Sequence, residues 1–496
     1  MQFKFIQSLA LLRGSATTVR PNTRCYATPP DTKATSTTAT TPTTTTTTRP
    51  VTLAGRLTGL NQPTVWHEFS PLAAQHGAVN LGQGFPDWQP PEFVLQAMER
   101  SLRDPRAANQ YARSAAHLPL AEALVQDYAE RWKNSGGSSI GSCIPMMDPT
   151  TQVATTVGCT NALHCAMQGL VNPGDQVILL EPAFDIYHAA VRMAGGTSVF
   201  CPLRPQPASD DDDDSVPKDA NQVFTLDLDE LEACITDRTK VFILNTPHNP
   251  TGKMFHVEEL QAMADMFRRY PHVTILADEV YEHIVFDKET SPHVSMATLL
   301  WDQTLTLSSA GKTFSCTGWK VGWAVGPPHL VAAVSAVQQW TTFSVPTPTQ
   351  DAVAQVLVQA REPYQGFGTY YDYLADLYKG KRDLLQQALE TAGLQVVVPP
   401  GGFFIMADTS TWPNPPDAIR QLKTPSMPGS NMPRDWALAR WSTETIGVTA
   451  IPPSAFYSAP NVPLARNYLR FAFCKQDETL REAQRRFAAY FGKPKD

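Results

Sequence analysis

The sequence predicts an α/β protein, in which a large domain built on a seven-stranded, mostly parallel sheet is joined to a smaller α+β domain. Short apolar runs rich in β-branched residues alternate with longer amphipathic stretches, which is typical of a parallel sheet covered by helices on both faces. After these runs, helix-rich sequence at 349–393 leads into a strand–turn–strand pattern at 394–408, which indicates the second domain. The predicted strands are residues 153–157, 176–180, 197–200, 240–245, 273–278, 304–309 and 322–326.

Two of the amphipathic stretches, residues 160–171 and 257–269, are predicted helices between those strands. The composition fits a soluble enzyme, since 42% of the 496 residues are hydrophobic and 18% charged. A net charge of −7 argues against general nucleic-acid binding, and no apolar run approaches the roughly 18 residues of a membrane span. The eight cysteines form no CxxC pair, so we expect them to be reduced and mostly buried.

Residues 1–26 have the composition of a mitochondrial presequence, with four basic side chains and no acidic one before Asp31. This predicts the mitochondrial matrix. A secretory signal and a disordered basic tail are the alternatives, although Gln7 interrupts the apolar stretch that a secretory signal needs. The threonine-rich residues 27–58 have few apolar side chains to bury and are predicted to be a disordered linker.

The remaining chain divides into an N-terminal arm with part of the small domain at 59–95, the large domain at 96–360 and the small domain at 361–496. Asp210–Asp214 are five adjacent acids flanked by prolines, which predicts an exposed loop insertion because like charges repel. A metal site is the alternative for this run. We predict no metal site in the protein.

Ligands of an open α/β sheet bind beyond the carboxyl ends of its strands, so the residues after each predicted strand are the candidates for a site. "LSSAGKTFSCTGWK" (307–320) places Lys312 among small and hydroxyl residues, with Ser309 before it and Lys320 after it. A lysine that is desolvated near a second cation has a lowered pKa and becomes a nucleophilic amine. The alternative is a solvated surface lysine.

Two further segments follow neighbouring strands. In "LADEVYEHI" (276–284), Asp278 and Tyr281 are three residues apart and share one face of a helical turn, or they are a capping aspartate and a core tyrosine. In "NTPHNPTGK" (245–253), prolines and a glycine predict a stiff turn that directs Asn249 into the cleft, or an ordinary turn.

"TVGCTNALH" (156–164) is a strand–turn–helix junction, and such a junction is common to all α/β proteins. Free N–H groups at the start of the helix, at Gly158, Cys159 and Thr160, together with the Thr160 hydroxyl, suit a phosphate.

The four segments together match pyridoxal 5′-phosphate, which needs a lysine Schiff base and a carboxylate at its ring nitrogen. The phosphate would lie on the helix start with Ser309 and Lys320, and the aldehyde would bond to Lys312. Asp278 would face the ring nitrogen, and the asparagine and tyrosine of the neighbouring segments would face the ring hydroxyl.

On these residues the chain resembles the fold-type I, class I/II aminotransferases, in particular the kynurenine/glutamine aminotransferases, which are also called cysteine-conjugate β-lyases. The resemblance covers about residues 60–492. It implies a pyridoxal-phosphate-dependent transferase fold and a homodimer with shared active sites. The further motifs that carry it are "NLGQGFPDW" (80–88), "NQYARSA" (109–115), "EPAFDIY" (181–187), "VTAIPPSAFYS" (448–458) and "YLRFAFCK" (468–475).

The resemblance also implies roles for individual residues. Phe184 would stack on the pyridine ring, and Tyr111 would reach the phosphate of the neighbouring subunit. Arg470 would hold the substrate carboxylate as a bidentate fork, beside Asn249 and the backbone of Gly84.

Trp66 and Phe343 would line an aromatic side-chain pocket. Three departures from the family pattern leave the preferred amino donor open. Thr160 resembles the aspartate aminotransferase form, Ser344 stands where some kynurenine enzymes carry histidine, and "RSAAHLPL" (113–120) lacks a glycine–tyrosine pair.

The implied reaction is transfer of an amino group from an aromatic or kynurenine-type amino acid to a 2-oxo acid, with Lys312 moving the Cα proton. A glutamine, methionine or other aromatic donor, a dedicated β-lyase and an aminocyclopropane-carboxylate-synthase-like enzyme are the alternatives. A catalytically silent regulatory protein on the same fold is the non-enzyme alternative.

Overall fold

A computed structural model describes residues 52–104, 109–135, 144–206, 218–429 and 431–492. The predicted presequence, most of the linker and Asp210–Asp214 lie outside the described residues. All described residues after Thr52 belong to one compact unit. The division at residue 360 into a large and a small domain stays a prediction.

The main sheet contains all seven predicted strands, each within two residues of its predicted bounds. They are β1 (Val153–Val157), β2 (Gln176–Glu181), β3 (Thr197–Pro202), β4 (Thr239–Asn245), β5 (Thr274–Asp278), β6 (Thr304–Ser309) and β7 (Val321–Val325). The strand order is β1-β7-β6-β5-β4-β2-β3. Only β7 runs antiparallel to its neighbours in this sheet, so the predicted α/β class with a mostly parallel sheet is confirmed.

Helices cover both faces of this sheet. The two predicted helices are confirmed as Cys159–Leu170 and Val257–Phe267. The other helices of at least eight residues are Val65–Gln75, Glu92–Arg103, Leu118–Ser135, Asp185–Met193, Pro328–Thr341, Thr347–Gln359, Tyr370–Thr391, Arg434–Trp441 and Asp477–Phe491. Four short α-helices are Ala220–Val223, Leu228–Ala233, Ala310–Thr313 and Asp417–Arg420.

Strand β4 illustrates how helices bury both faces of the sheet. Its side chains alternate between the two faces, as a pleated strand requires. Phe242 packs in the cluster of helix Val257–Phe267, where its ring stacks on Phe267 at 5.0 Å. Val241 packs in the cluster that contains helix Cys159–Leu170. Both faces are therefore apolar, and the strand reads as a continuous apolar run in the sequence.

A second sheet contains the predicted strand–turn–strand region. Its strands β8 (Gln395–Val398), β9 (Phe404–Asp408) and β10 (Tyr468–Ala472) are antiparallel in the order β10-β9-β8, and Lys218–Asp219 pairs in parallel with β8. Val79–Asn80 pairs in parallel with Val448–Thr449, and Arg204–Pro205 pairs antiparallel with Phe224–Thr225.

Backbone bonds hold residues 81–88 beside the second sheet. The amide of Ala472 donates to Leu81 O at 2.6 Å, and the amide of Leu81 donates to Thr449 O at 3.0 Å. The side chain of Arg470, in the middle of β10, donates to Gly82 O. Among the residues described, no helix combines the length and the apolar character that a membrane span requires.

Candidate active site

A cavity of about 450 Å³ lies at the carboxyl ends of β4, β5 and β6, as expected for an open α/β sheet. It brings together all but two of the predicted site residues. These are Trp66, Gly84, Gly158, Cys159, Thr160, Phe184, Asn249, Asp278, Tyr281, Ser309, Lys312, Lys320 and Arg470. We call the part around Asp278 and Lys320 the sheet end and the part around Arg470 and Trp66 the arginine end.

Lys312 lies between the two ends, on the short helix Ala310–Thr313 directly after β6. Its Nζ donates to Gly84 O at 2.7 Å and lies 5.0 Å from the centre of the Phe403 ring. Burial lowers the pKa of Lys312 from 10.5 to about 8, and the positive charge of Arg470 acts in the same direction. A fraction of this amine is therefore neutral near neutral pH, as a nucleophile or a general base requires.

Asp278 is the last residue of β5, and its carboxylate is buried at the sheet end. Its Oδ2 accepts a hydrogen bond from Tyr187 Oη at 2.7 Å, and its Oδ1 lies 3.6 Å from Cys159 Sγ. Burial raises the pKa of Asp278, and the Tyr187 bond opposes that change. A cationic group that enters the cavity would stabilise the charged carboxylate.

At the sheet end, Gly158 lies between strand β1 and helix Cys159–Leu170. Gly158 has a φ of +79°, and an added Cβ there would lie 3.1 Å from Lys320 Nζ. The glycine therefore leaves space between the ammonium group and the start of helix Cys159–Leu170. The amide of Gly158 itself donates to Thr156 O at 2.8 Å, so the groups here that suit an anion are the amides of Cys159 and Thr160 and the ammonium group of Lys320.

Arg470 is 1% exposed and is held from three sides. Nη1 donates to Asn249 Oδ1 at 3.1 Å and Nη2 donates to Gly82 O at 2.6 Å. The guanidinium lies 4.2 Å from the ring centre of Phe404 and 5.3 Å from that of Trp66. Burial lowers the pKa of Arg470 to about 10, and Nε has no partner among the described residues. The side chain therefore keeps a donor for an anionic ligand in an apolar setting.

The cavity also contains residues that were not predicted, and the side chains of three of them hydrogen-bond to predicted site residues. Tyr187 lies on helix Asp185–Met193, and its place in "EPAFDIY" was the only signal for it. Asp185 accepts a hydrogen bond from Trp66 Nε1 at 2.9 Å and so fixes that indole ring. Asn245 donates to Asp278 O at 2.8 Å and accepts from the Asn249 amide at 2.7 Å, which ties the two predicted loops together.

Tyr111 and Phe343 do not line this cavity. Their side chains are 84% and 52% exposed, and their rings contact each other edge-on at 5.1 Å. Phe343 follows helix Pro328–Thr341 on the exposed surface of a single chain, so its placement in an aromatic pocket, like the role of Tyr111, stays a prediction. Within the described ranges, no group of three or more histidine, cysteine, aspartate or glutamate side chains is arranged to hold a metal ion.

Residues 77–487 match the family described as aminotransferase class I and II. The chain belongs to this family. It is 43% identical over 425 residues to a kynurenine–oxoglutarate transaminase of Dictyostelium discoideum, covering 85% of this chain and 92% of the relative. It is 38% identical to kynurenine–oxoglutarate transaminase 3 of Homo sapiens, covering 87% of this chain and 89% of that relative.

Solved structures agree with this assignment. A putative kynurenine aminotransferase from Saccharomyces cerevisiae superposes with a TM-score of 0.75 at 30% identity, covering 88% of this chain and 98% of that one. A protein from Escherichia coli with a methionine aminotransferase function gives 0.73 at 31% identity, covering 89% and 100%. The sequence-based identification of an aminotransferase is confirmed.

Proposed function

We propose that this aminotransferase uses pyridoxal 5′-phosphate to move the amino group of an aromatic or kynurenine-type amino acid to a 2-oxo acid such as 2-oxoglutarate. The observation that carries the proposal is one cavity in which Lys312, with its lowered pKa, lies between the buried carboxylate of Asp278 and the buried guanidinium of Arg470. Relatives named kynurenine–oxoglutarate transaminases support the substrate class.

The residues present fit the cofactor. The space between Gly158 and Lys320 suits its phosphate, since a side chain at position 158 would fill it. The Asp278 carboxylate suits a protonated ring nitrogen, because a cationic partner opposes the rise in pKa that burial causes. Phe184 lines the same cavity and offers an aromatic face for the ring.

When bound, the cofactor supplies an electron sink that stabilises negative charge at the substrate Cα. Lys312 Nζ accepts the Cα proton and then returns it, acting as general base and general acid in turn. Asp278 holds the proton on the ring nitrogen. Arg470 binds the substrate carboxylate, and the rings of Trp66 and Phe404 exclude water from that ion pair, which strengthens it.

The covalent lysine is tested by borohydride reduction of the holoenzyme followed by peptide mapping. We expect the reduced adduct on Lys312, and we expect Lys312→Ala to lower kcat by about 10⁴-fold because it removes the proton-transfer group. An adduct on another lysine, or on none, would contradict the proposal.

The substrate class is tested with amino donors against 2-oxoglutarate, pyruvate and phenylpyruvate, ranked by kcat/KM. Kynurenine and aromatic donors should rank above aspartate, since Trp66 and Phe404 line the arginine end of the cavity. Release of ammonia and pyruvate from a cysteine conjugate without any oxo acid would instead indicate a dedicated β-lyase.

We also propose that the active enzyme is a homodimer in which Tyr111 of a second copy completes the phosphate site. The exposed, mutually contacting rings of Tyr111 and Phe343 support this, because such aromatic pairs are typical of interfaces. Sedimentation should give a dimer, and Tyr111→Phe should weaken cofactor binding. A fully active monomer would contradict the proposal.

For location we propose the mitochondrial matrix, on the basic, acid-free composition of residues 1–26. Fusing residues 1–58 to a fluorescent reporter should direct it to mitochondria. Neutralising the four basic side chains should abolish import, and secretion of the fusion would favour the alternative signal.

A further inference from the structure

A second cavity of about 410 Å³ borders the same chain segment as the first. Residues 83–85 line the first cavity, and Trp88, Gln89 and Pro91 line the second. The remaining walls come from Ser315, Tyr364, the part of helix Tyr370–Thr391 between Tyr370 and Lys381, and the start of helix Asp477–Phe491 with Gln476 before it.

One side of the second cavity is aromatic. Its rings belong to Trp88, Tyr364, Tyr370 and Tyr373. The ring of Tyr364 lies 5.0 Å from that of Tyr373 and 5.3 Å from that of Tyr370, both edge-on. These contacts hold the tyrosines as a continuous wall, which matches the flat side chain of an aromatic ligand.

The other side carries opposite charges. The Lys381 side chain is 8% exposed, and its Nζ lies 3.0 Å from Asp477 Oδ1 and 4.7 Å from the centre of the Trp88 ring. The carboxylates of Asp477 and of the exposed Glu478 lie at the rim. One buried cation beside two carboxylates leaves the lining with a net negative charge, which favours a ligand that brings an ammonium group as well as an anion.

We propose that the second cavity binds an aromatic amino acid as its zwitterion. The ligand carboxylate bonds to Lys381, which has three donors and uses one on Asp477. The ligand ammonium pairs with Glu478 at the rim, and the ligand ring lies on the tyrosine wall. This inference goes beyond the proposed reaction and does not depend on it.

The second cavity also contacts the residues that directly follow Lys312. Trp88 Nε1 donates to Ser315 Oγ at 3.1 Å, and Tyr370 Oη donates to Thr313 O at 2.8 Å. Both rings line the second cavity, so a bound ligand touches the two side chains that anchor these residues. A bound ligand should therefore change the fluorescence that Trp88 contributes.

The test uses the holoenzyme and α-methyl-4-fluorophenylalanine, which lacks the Cα hydrogen and so cannot be transaminated. Fluorine NMR and calorimetry should detect one molecule of this probe bound in the second cavity. That molecule should remain bound in Arg470→Lys, a variant in which binding at the active site is weakened. Lys381→Met and Glu478→Gln should each weaken binding in the second cavity by about tenfold, because the first removes a charged hydrogen-bond donor and the second removes the negative charge that pairs with the ligand ammonium.

Glu478→Gln changes an exposed side chain, so it keeps the test valid if Lys381→Met destabilises the fold. The matched control is Lys379→Met, which removes an exposed lysine two residues earlier on the same helix and should change nothing. A wild-type enzyme that binds the probe only at the active site would overturn the inference. The inference would also be overturned if Lys381→Met and Glu478→Gln both left binding in the second cavity unaltered.

Discussion

The sheet end and the arginine end of the cavity hold buried charge in different ways. At the sheet end the carboxylate of Asp278 is fixed by directed donors, chiefly the Tyr187 hydroxyl at 2.7 Å. At the arginine end, among the described residues, the guanidinium of Arg470 bonds to two oxygens and is otherwise surrounded by aromatic rings. At one end hydrogen bonds therefore favour the charged form against the effect of burial, whereas at the other end aromatic packing encloses the charge.

This difference separates two kinds of effect. A change at the sheet end should alter how tightly the cofactor is held and how its ring nitrogen is charged. A change at the arginine end should alter recognition of the amino acid while the cofactor stays bound.

The largest effect is expected for Lys312, which lies between the two ends. The pKa of Lys312 is about 8 in the folded, cofactor-free chain and 10.5 for an ordinary lysine. Between pH 8 and 10.5 the ammonium group therefore keeps its proton in the unfolded chain and loses it in the folded chain. The free energy of unfolding should therefore gain a contribution that rises with pH between about 8 and 10.5 and is flat below 8.

The measurement is labelling of the cofactor-free protein with trinitrobenzenesulfonate, read out by peptide mapping. Labelling of Lys312 should have its midpoint near pH 8, which makes the neutral amine about 10²-fold more abundant at neutral pH than for an ordinary lysine. A midpoint near 10.5 would contradict the burial argument. The same digest of Lys312→Ala assigns the peptide.

A smaller effect, about 10²-fold in kcat/KM, is expected for Arg470→Lys. Lysine keeps the charge but cannot form the bidentate fork, and it loses either the Asn249 or the Gly82 contact. The loss should appear mainly as a higher KM for the amino donor, measured by steady-state kinetics. The cofactor dissociation constant should stay unchanged, and a variant that loses its cofactor would contradict the separation of the two ends.

The two ends also differ in how far the sequence predicts them. Asp278 and Lys312 follow strands of one parallel sheet, so strand pattern alone brings them to one edge. Arg470 comes from a different sheet, and only the resemblance to a known family indicated its role. The local pattern could not find Tyr187, because its contact with Asp278 depends on how helix Asp185–Met193 packs on the main sheet.

The fold itself was predicted more completely than the site. The seven strands of the main sheet are short runs rich in apolar and β-branched residues, and central strands such as β2 and β4 each contain an unbroken apolar run, so their burial on both faces is visible in the sequence. Phe343 does not line the cavity of a single chain, and its place in an aromatic pocket stays a prediction, because the sequence shows that a residue is apolar but not which surface covers it.

An effect of about tenfold is expected for Tyr187→Phe. The variant removes the hydrogen bond that stabilises the charged form of Asp278, so the pKa of that carboxyl rises further and its attraction for a protonated ring nitrogen weakens. The cofactor dissociation constant should increase by about this factor, measured by absorbance on titrating the cofactor-free protein.

The matched comparison is Trp66→Phe, which removes a hydrogen-bond donor at the arginine end, where the indole bonds to Asp185 at 2.9 Å. It should raise the KM for the amino donor several-fold and leave cofactor affinity unchanged. If both variants altered the same constant, the two ends would act as one unit.

The smallest effect is expected for Cys159, the second side-chain donor to Asp278. The thiol is a weak donor, and its Sγ lies 3.6 Å from Oδ1. Burial raises the pKa of Cys159, so the group stays a neutral thiol beside the carboxylate.

Cys159→Ala should weaken cofactor binding by no more than about threefold, because the removed contact is long and uncharged on the donor side. Cys159→Ser should bind the cofactor at least as well as the wild type, since a hydroxyl is the stronger donor. A loss in Cys159→Ala as large as that in Tyr187→Phe would show that distance and donor strength do not rank the contacts of this carboxylate.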